Sequence, residues 1–130
     1  MKTKEKVLHA LKKFGLLPDE EDGQICFFYQ MAFYLYVPDD DDENYVSMYI
    51  PCIYEVTEEN ESEVLLVIND CNVGVKAVKL IVANKANVWA AYEIHVPEDA
   101  DLEDVVRRGV LALYNAKERF IKDMKGLLQK

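Results

Sequence analysis

Between Glu63 and Val96 the apolar spacing changes from that of a helix to every second residue, so a helix joined directly to a sheet must sit at the middle of the fold. Val64, Leu65, Ile68 and Cys71 follow the i, i+1, i+4, i+7 spacing that lays one apolar stripe along a helix. Asn72-Val73-Gly74 reads as a turn. Val78, Leu80 and Val82 then alternate with Ala77, Lys79 and Ile81. Past the polar Asn84-Lys85-Ala86-Asn87 turn, Val88, Ala90, Tyr92, Ile94 and Val96 alternate with Trp89, Ala91, Glu93 and His95. The segment predicts a helix followed by a two-stranded hairpin, and it contains no catalytic motif.

The flanking chain supplies what this unit packs against. Thr3 to Phe14 places Val7, Leu8, Leu11 and Phe14 on one face of a helix that Gly15 stops, which predicts a helix lying across a sheet. Pro18 to Gly23 is read as an acidic loop. Gln24–Gln30, Ala32–Val37 and Tyr45–Ile53 are rich in aromatic and branched residues and predict three strands in a meander, with Pro38 and the run Asp39 to Glu43 as a hairpin tip. Thr57 to Glu63 carries cap-type and acidic residues suited to a helix N-terminus. After Pro97–Asp101, the residues Leu102, Val106, Gly109, Leu113, Ala116, Phe120, Met124 and Leu127 keep a helical stripe to the C-terminus, roughly 40 Å at 1.5 Å per residue. The expected fold is α+β: helix, three strands, helix, two strands and long helix, in one domain over residues 1–130, with helices on one face of a five-stranded antiparallel sheet.

Charge narrows the function. The formal net charge of −9, with no Lys, Arg or His from Phe14 to Val75, disfavours nucleic acid, whose phosphates need a basic stripe. An acidic surface keeps a protein soluble and also steers a basic protein segment towards it. Cys26, Cys52 and Cys71 lack CxxC spacing and read as reduced core thiols. The N-terminal MKTKEKVLHALKK lacks the apolar core of a signal peptide, and no run is long enough to span a bilayer, so a cytoplasmic protein without membrane contact is expected.

Candidate chemistry is sparse. Glu93 and His95 share a strand face and form the one plausible acid-base pair, the basis of an alternative reading as an enzyme of unrecognised type. No phosphate loop or Ser-His-Asp set accompanies them, and an ordinary surface pair is the simpler account. Asp39 to Glu43 offers oxygen ligands, but counting from Asp39 puts Asn44 and Ile50 where a calcium loop needs glycine and glutamate. No catalytic residue, metal site or cofactor is expected.

The aromatic residues give a stronger lead. If Phe33, Leu35, Val37, Val46, Met48 and Ile50 face the helices, alternation sends Tyr34, Tyr36, Tyr45 and Tyr49 to the opposite face, where Trp89 and Ile81 join them. Tyrosine-rich surfaces offer contact area at low entropic cost. Tyr34, Tyr36, Tyr45, Tyr49 and Trp89 are therefore the expected partner-binding residues, for a homodimer or for a basic, partly apolar protein segment. Tyr36→Ala with Tyr49→Ala is expected to weaken association and leave the fold intact.

In element order and apolar rhythm the chain resembles the YbjN-like family, whose fold is that of the type III secretion chaperones. The GQICFFYQ strand, the YVSMYIP strand ending in proline, the LLVINDCNVGVKAVKL junction and the AAYEIHVPEDADLEDVV passage carry the resemblance, which covers nearly the whole chain. It implies protein binding without catalysis. Secretion chaperones of this shape form dimers and hold an extended effector segment, and YbjN-like proteins are linked to regulation.

Overall fold

The computed structural model describes residues 2–128. Its elements run α1 (Thr3–Lys13), β1 (Asp19–Glu21), β2 (Gln24–Tyr29), β3 (Ala32–Tyr36), β4 (Tyr45–Glu55), α2 (Glu61–Gly74), β5 (Val78–Ala83), β6 (Asn87–His95) and α3 (Leu102–Leu128). The strands form one sheet in the order β1-β2-β3-β4-β6-β5, with antiparallel neighbours throughout.

Six strands stand where five were expected, and four precede α2 rather than three. The addition is β1, where a loop was expected. Its three residues are all exposed, so no apolar alternation marks them. What folds them back is the Asp22-Gly23 turn, whose φ values of 51° and 81° suit a two-residue hairpin. Glycine tolerates that conformation at no steric cost, and aspartate tolerates it better than most residues.

The helices line one side of the sheet. On α3 the expected stripe holds: Leu102, Val106, Gly109, Leu113, Ala116, Phe120 and Met124 are buried, Val110 is buried beside them, and Leu127 is half-buried. They meet Ile25, Phe27, Val46, Met48, Leu80, Ala90 and Tyr92 from the inner sheet face. On α2 the buried set is Val64, Val67, Ile68 and Cys71, while Leu65 is exposed. That set follows i, i+3, i+4, i+7 spacing, which leaves Leu65 off the packed face, and the helix also continues through Asn72, Val73 and Gly74, read above as a turn. α1 packs its Val7, Ala10 and Leu11 into the same core, chiefly against α3, and Gly15 at φ 96° ends it as expected.

α1 has no side-chain cap of its own. The loop between β3 and β4 supplies one: Glu43 Oε2 accepts the Thr3 backbone N–H at 2.9 Å, and the Thr3 hydroxyl donates to the Glu43 carbonyl. These bonds to Thr3 hold the Glu43 carboxyl below its ordinary range. A carboxyl depressed on folding stabilises the native state above its unfolded value of about 4.3 and ceases to do so as pH falls through the lower folded value. Glu43→Gln is therefore expected to lower the melting temperature at neutral pH, with the gap to the parent closing in acid below about pH 4. A gap that stays constant down to pH 2, on the order of the lowest folded carboxyl values, would show that the charge plays no part.

Candidate protein-contact surface

The sheet face turned away from the helices is built in cross-strand rows. Register places Asp19 opposite Cys26, Cys26 opposite Leu35, Leu35 opposite Tyr49, Tyr49 opposite Ala91, and Ala91 opposite Lys79, a continuous row over all six strands. Two residues along the strands, Phe28 lies opposite Phe33 and Trp89 opposite Ile81. Phe28 is 64% exposed, and Phe33 and Ile81 are each 39% exposed. The Phe28 and Phe33 rings meet edge to face at 5.4 Å, as do Tyr49 and Trp89 at 5.9 Å. An apolar belt crosses the open face from β2 to β5.

To one side of the belt the face turns polar. Glu93 Oε2 accepts the hydroxyls of Tyr45 at 3.0 Å and Tyr49 at 3.2 Å, and its other oxygen lies 3.8 Å from Lys79 Nζ. Burial, partly opposed by the Ser47 bond and reinforced by Glu93, raises both tyrosine hydroxyls above their ordinary value. The His95 ring lies tilted against that of Tyr45, 4.9 Å between centroids, and its Nε2 pairs with Asp42 at 2.9 Å. Glu93 and His95 thus share a face, as expected, and both touch Tyr45, but Glu93 bonds to the Tyr45 and Tyr49 hydroxyls whereas His95 bonds to Asp42. A cavity of about 360 Å³ beside α1 is lined by Lys2, Thr3, Glu43, Val96 and Leu102, and neither Glu93 nor His95 is among its lining residues.

Three of the five expected contact residues, Tyr45, Tyr49 and Trp89, lie on this face, with Ile81. Tyr34 and Tyr36 do not. They are 0% and 1% exposed, on the inner face. The two-residue turn Gln30-Met31, with φ 50° and 67°, sets Phe27 opposite Tyr34 and Ile25 opposite Tyr36, so all four point into the core. Tyr34 satisfies its hydroxyl there by donating to the Val110 carbonyl at 2.8 Å and stacks on Phe27 at 4.9 Å. Burial and the nearby Glu43 charge push Tyr36 up to about 12. By the same parity Phe33 and Leu35, expected inside, face outward.

Smaller corrections follow from the same geometry. Only Cys71 is a buried thiol; Cys26 is half-buried and Cys52 exposed, at φ 53° in an irregular stretch of β4. In the acidic tip, Asp39 Oδ1 accepts the Asp41 N–H and Asp42 Oδ1 the Asn44 N–H, each at 3.0 Å, so these carboxylates shape a turn. Among the described residues no cluster of three metal-ligating side chains occurs, and no helix is long and apolar enough to cross a membrane.

Fold and surface together define a two-layer α+β domain that covers one face of its sheet with helices and leaves the other open. That fold is YbjN-like. The chain superposes on the crystal structure of YbjN from E. coli, a candidate transcription regulator, with a TM-score of 0.73 and 10% sequence identity, over 95% of this chain and 93% of that one. An uncharacterized protein from Methanothermobacter thermautotrophicus is similar at a TM-score of 0.64 and 12% identity, over 95% of this chain and 97% of that one. No protein-family model and no curated protein matches the sequence. At such identities the likeness establishes the fold, and function is argued from the surface.

Proposed function

We propose that this chain is a protein-binding domain without catalysis that works through the open face of its sheet. The supporting observation is the belt of Phe28, Phe33, Tyr49, Trp89 and Ile81, which no helix covers among the described residues. Continuous apolar patches are uncommon on monomers and mark contact sites, whereas scattered apolar side chains do not. Tyrosine and tryptophan are enriched at such centres because they bury large areas and retain a polar group for the rim. Acids from Asp19 to Asp22 at the β1 edge, and from Asp39 to Glu43 beside Tyr45, favour an incoming surface that carries cations next to apolar groups. A regulatory or a chaperone-like role alike requires this kind of contact. The three free thiols support a reducing, cytoplasmic setting.

A photo-reactive phenylalanine analogue in place of Phe33 or Trp89 tests the surface in the cells that make the protein. Discrete covalent adducts to protein are expected from these two positions, and none from the exposed Glu118 on α3. Equal labelling from all three, or from none, would remove the open face as the contact surface.

A further inference from the structure

We infer that the occupant of the open face is a second copy of this chain, stacked about a two-fold axis parallel to the strands between β3 and β4. This rests on the reading of that face as a contact surface and names its partner.

The strand order makes the face self-complementary. Three strands, β1-β2-β3, lie on one side of the axis and three, β4-β6-β5, on the other. The rotation sets β3 over the second copy's β4, β2 over its β6 and β1 over its β5. In the row that spans the sheet, Leu35 then meets the second copy's Tyr49, Cys26 meets its Ala91, and Asp19 meets its Lys79. Two residues along, Phe28 meets its Trp89, flanked by Phe33 and Ile81. Apolar groups fall on apolar groups in the middle, and opposite charges meet at both margins.

Charge selects this axis over the perpendicular one. The outward residues of β1 are Asp19 and Glu21. Lys79 points outward from β5 with its side chain 67% exposed, and Lys76 and Lys85 lie just beyond the strand's two ends. An axis across the strands sets β1 on β1 and Asp19 on Asp19, juxtaposing like charges. The axis along the strands makes the second copy's β5 margin the cationic, partly apolar surface that the acidic β1 margin favours.

The sheet edges do not compete for this association. At the middle of β5, Asn72 Oδ1 accepts the Leu80 N–H at 2.8 Å and its Nδ2 donates to the Leu80 carbonyl at 3.0 Å, which closes the edge to an added strand. The β1 edge is three exposed acids. Face-to-face contact about a two-fold closes at two copies and leaves no surface for growth.

Two chains of formal charge −9 repel at long range, and the Debye length of about 10 Å at 0.1 M salt screens that repulsion. Dimer affinity should therefore rise with salt, whereas affinity for a cationic partner would fall. Sedimentation equilibrium of the full chain at low and high salt is the test. A dimer that tightens with salt is expected. Lys79→Asp or Asp19→Lys alone should weaken it about tenfold, and the two together should restore it. Trp89→Glu should weaken it at least about a hundredfold, with circular dichroism confirming the fold. A dimer indifferent to Trp89→Glu, or a double swap that fails to restore affinity, overturns the inference. A monomer at every concentration overturns it too. If that monomer still gives photo-adducts from Phe33 and Trp89, the contact surface stands with a different protein as its occupant; without adducts, both readings fall.

Discussion

Tyr34→Ala is expected to destabilise the domain by about 4 kcal/mol, in the range found when a large buried aromatic is cut to alanine. Tyr34 is fully buried, stacks on Phe27 at 4.9 Å and donates its hydroxyl to the Val110 carbonyl on α3. Truncation leaves a cavity between sheet and helix and also removes the bond that fixes their distance. Since domains are stable by only about 5–15 kcal/mol, the loss is a large part of the total. Tyr49→Ala, on the open face, gives up a ring contact with Trp89 and a bond to Glu93, and is expected to cost about 1 kcal/mol or less. Urea unfolding of the two variants separates the roles: equal losses would contradict the assignment of Tyr34 to the core and Tyr49 to the surface. For the same reason Tyr36→Ala, at a residue 1% exposed, should act on stability rather than on association.

What the sequence disclosed depended on how strongly each side chain was tied to its environment. The α3 stripe, the inner and outer faces of β4, and the alternation of β5 and β6 were legible because apolar and polar residues alternate there with one dominant period. On β3 both parities are aromatic or aliphatic: Phe33 and Leu35 on one side, Tyr34 and Tyr36 on the other. Tyrosine looks like the wetter residue, so its set was assigned outward. The choice was settled by the register of the Gln30-Met31 turn and by a buried acceptor for Tyr34. A signal was available in β2, where Ile25 and Phe27 fix the inner side and a two-residue turn carries it to Tyr34 and Tyr36. β1 escaped because an all-acidic strand has no hydrophobic period, although Asp22-Gly23 is a recognised hairpin pair. On α2 apolar residues occur on both sides of the helix, so the buried stripe could not be separated from Leu65 and Leu66 by spacing alone. The reading of the open face inherited these errors: Tyr45, Tyr49, Trp89 and Ile81 were placed on it from alternation, while the positions of Phe28, Phe33, Asp19 and Lys79 required the register.

Gly109→Val is expected to cost about 3 kcal/mol, with Gly109→Ala losing less. A Cβ at Gly109 would lie 2.5 Å from Met48 Cε and 2.7 Å from Tyr92 Cε2, closer than atoms pack. Here α3 rests directly on β4 and β6. Met48 has a flexible end that can shift, but the Tyr92 ring is buried and its hydroxyl donates to the Val105 carbonyl at 3.3 Å, one turn up the same helix. Moving that ring lifts α3 or breaks the bond. Helix propensity pulls the other way, since glycine in a helix interior is about 1 kcal/mol worse than alanine. Gly126 isolates that opposing term, because a Cβ there meets nothing within 4 Å. Gly126→Ala should therefore stabilise by up to about 1 kcal/mol while Gly109→Ala destabilises, a difference of sign that chemical denaturation reads directly. If both alanine variants were more stable than the parent, close approach of α3 would not be what sets the spacing of helix and sheet, and the tyrosine bonds to Val110 and Val105 would have to hold it alone.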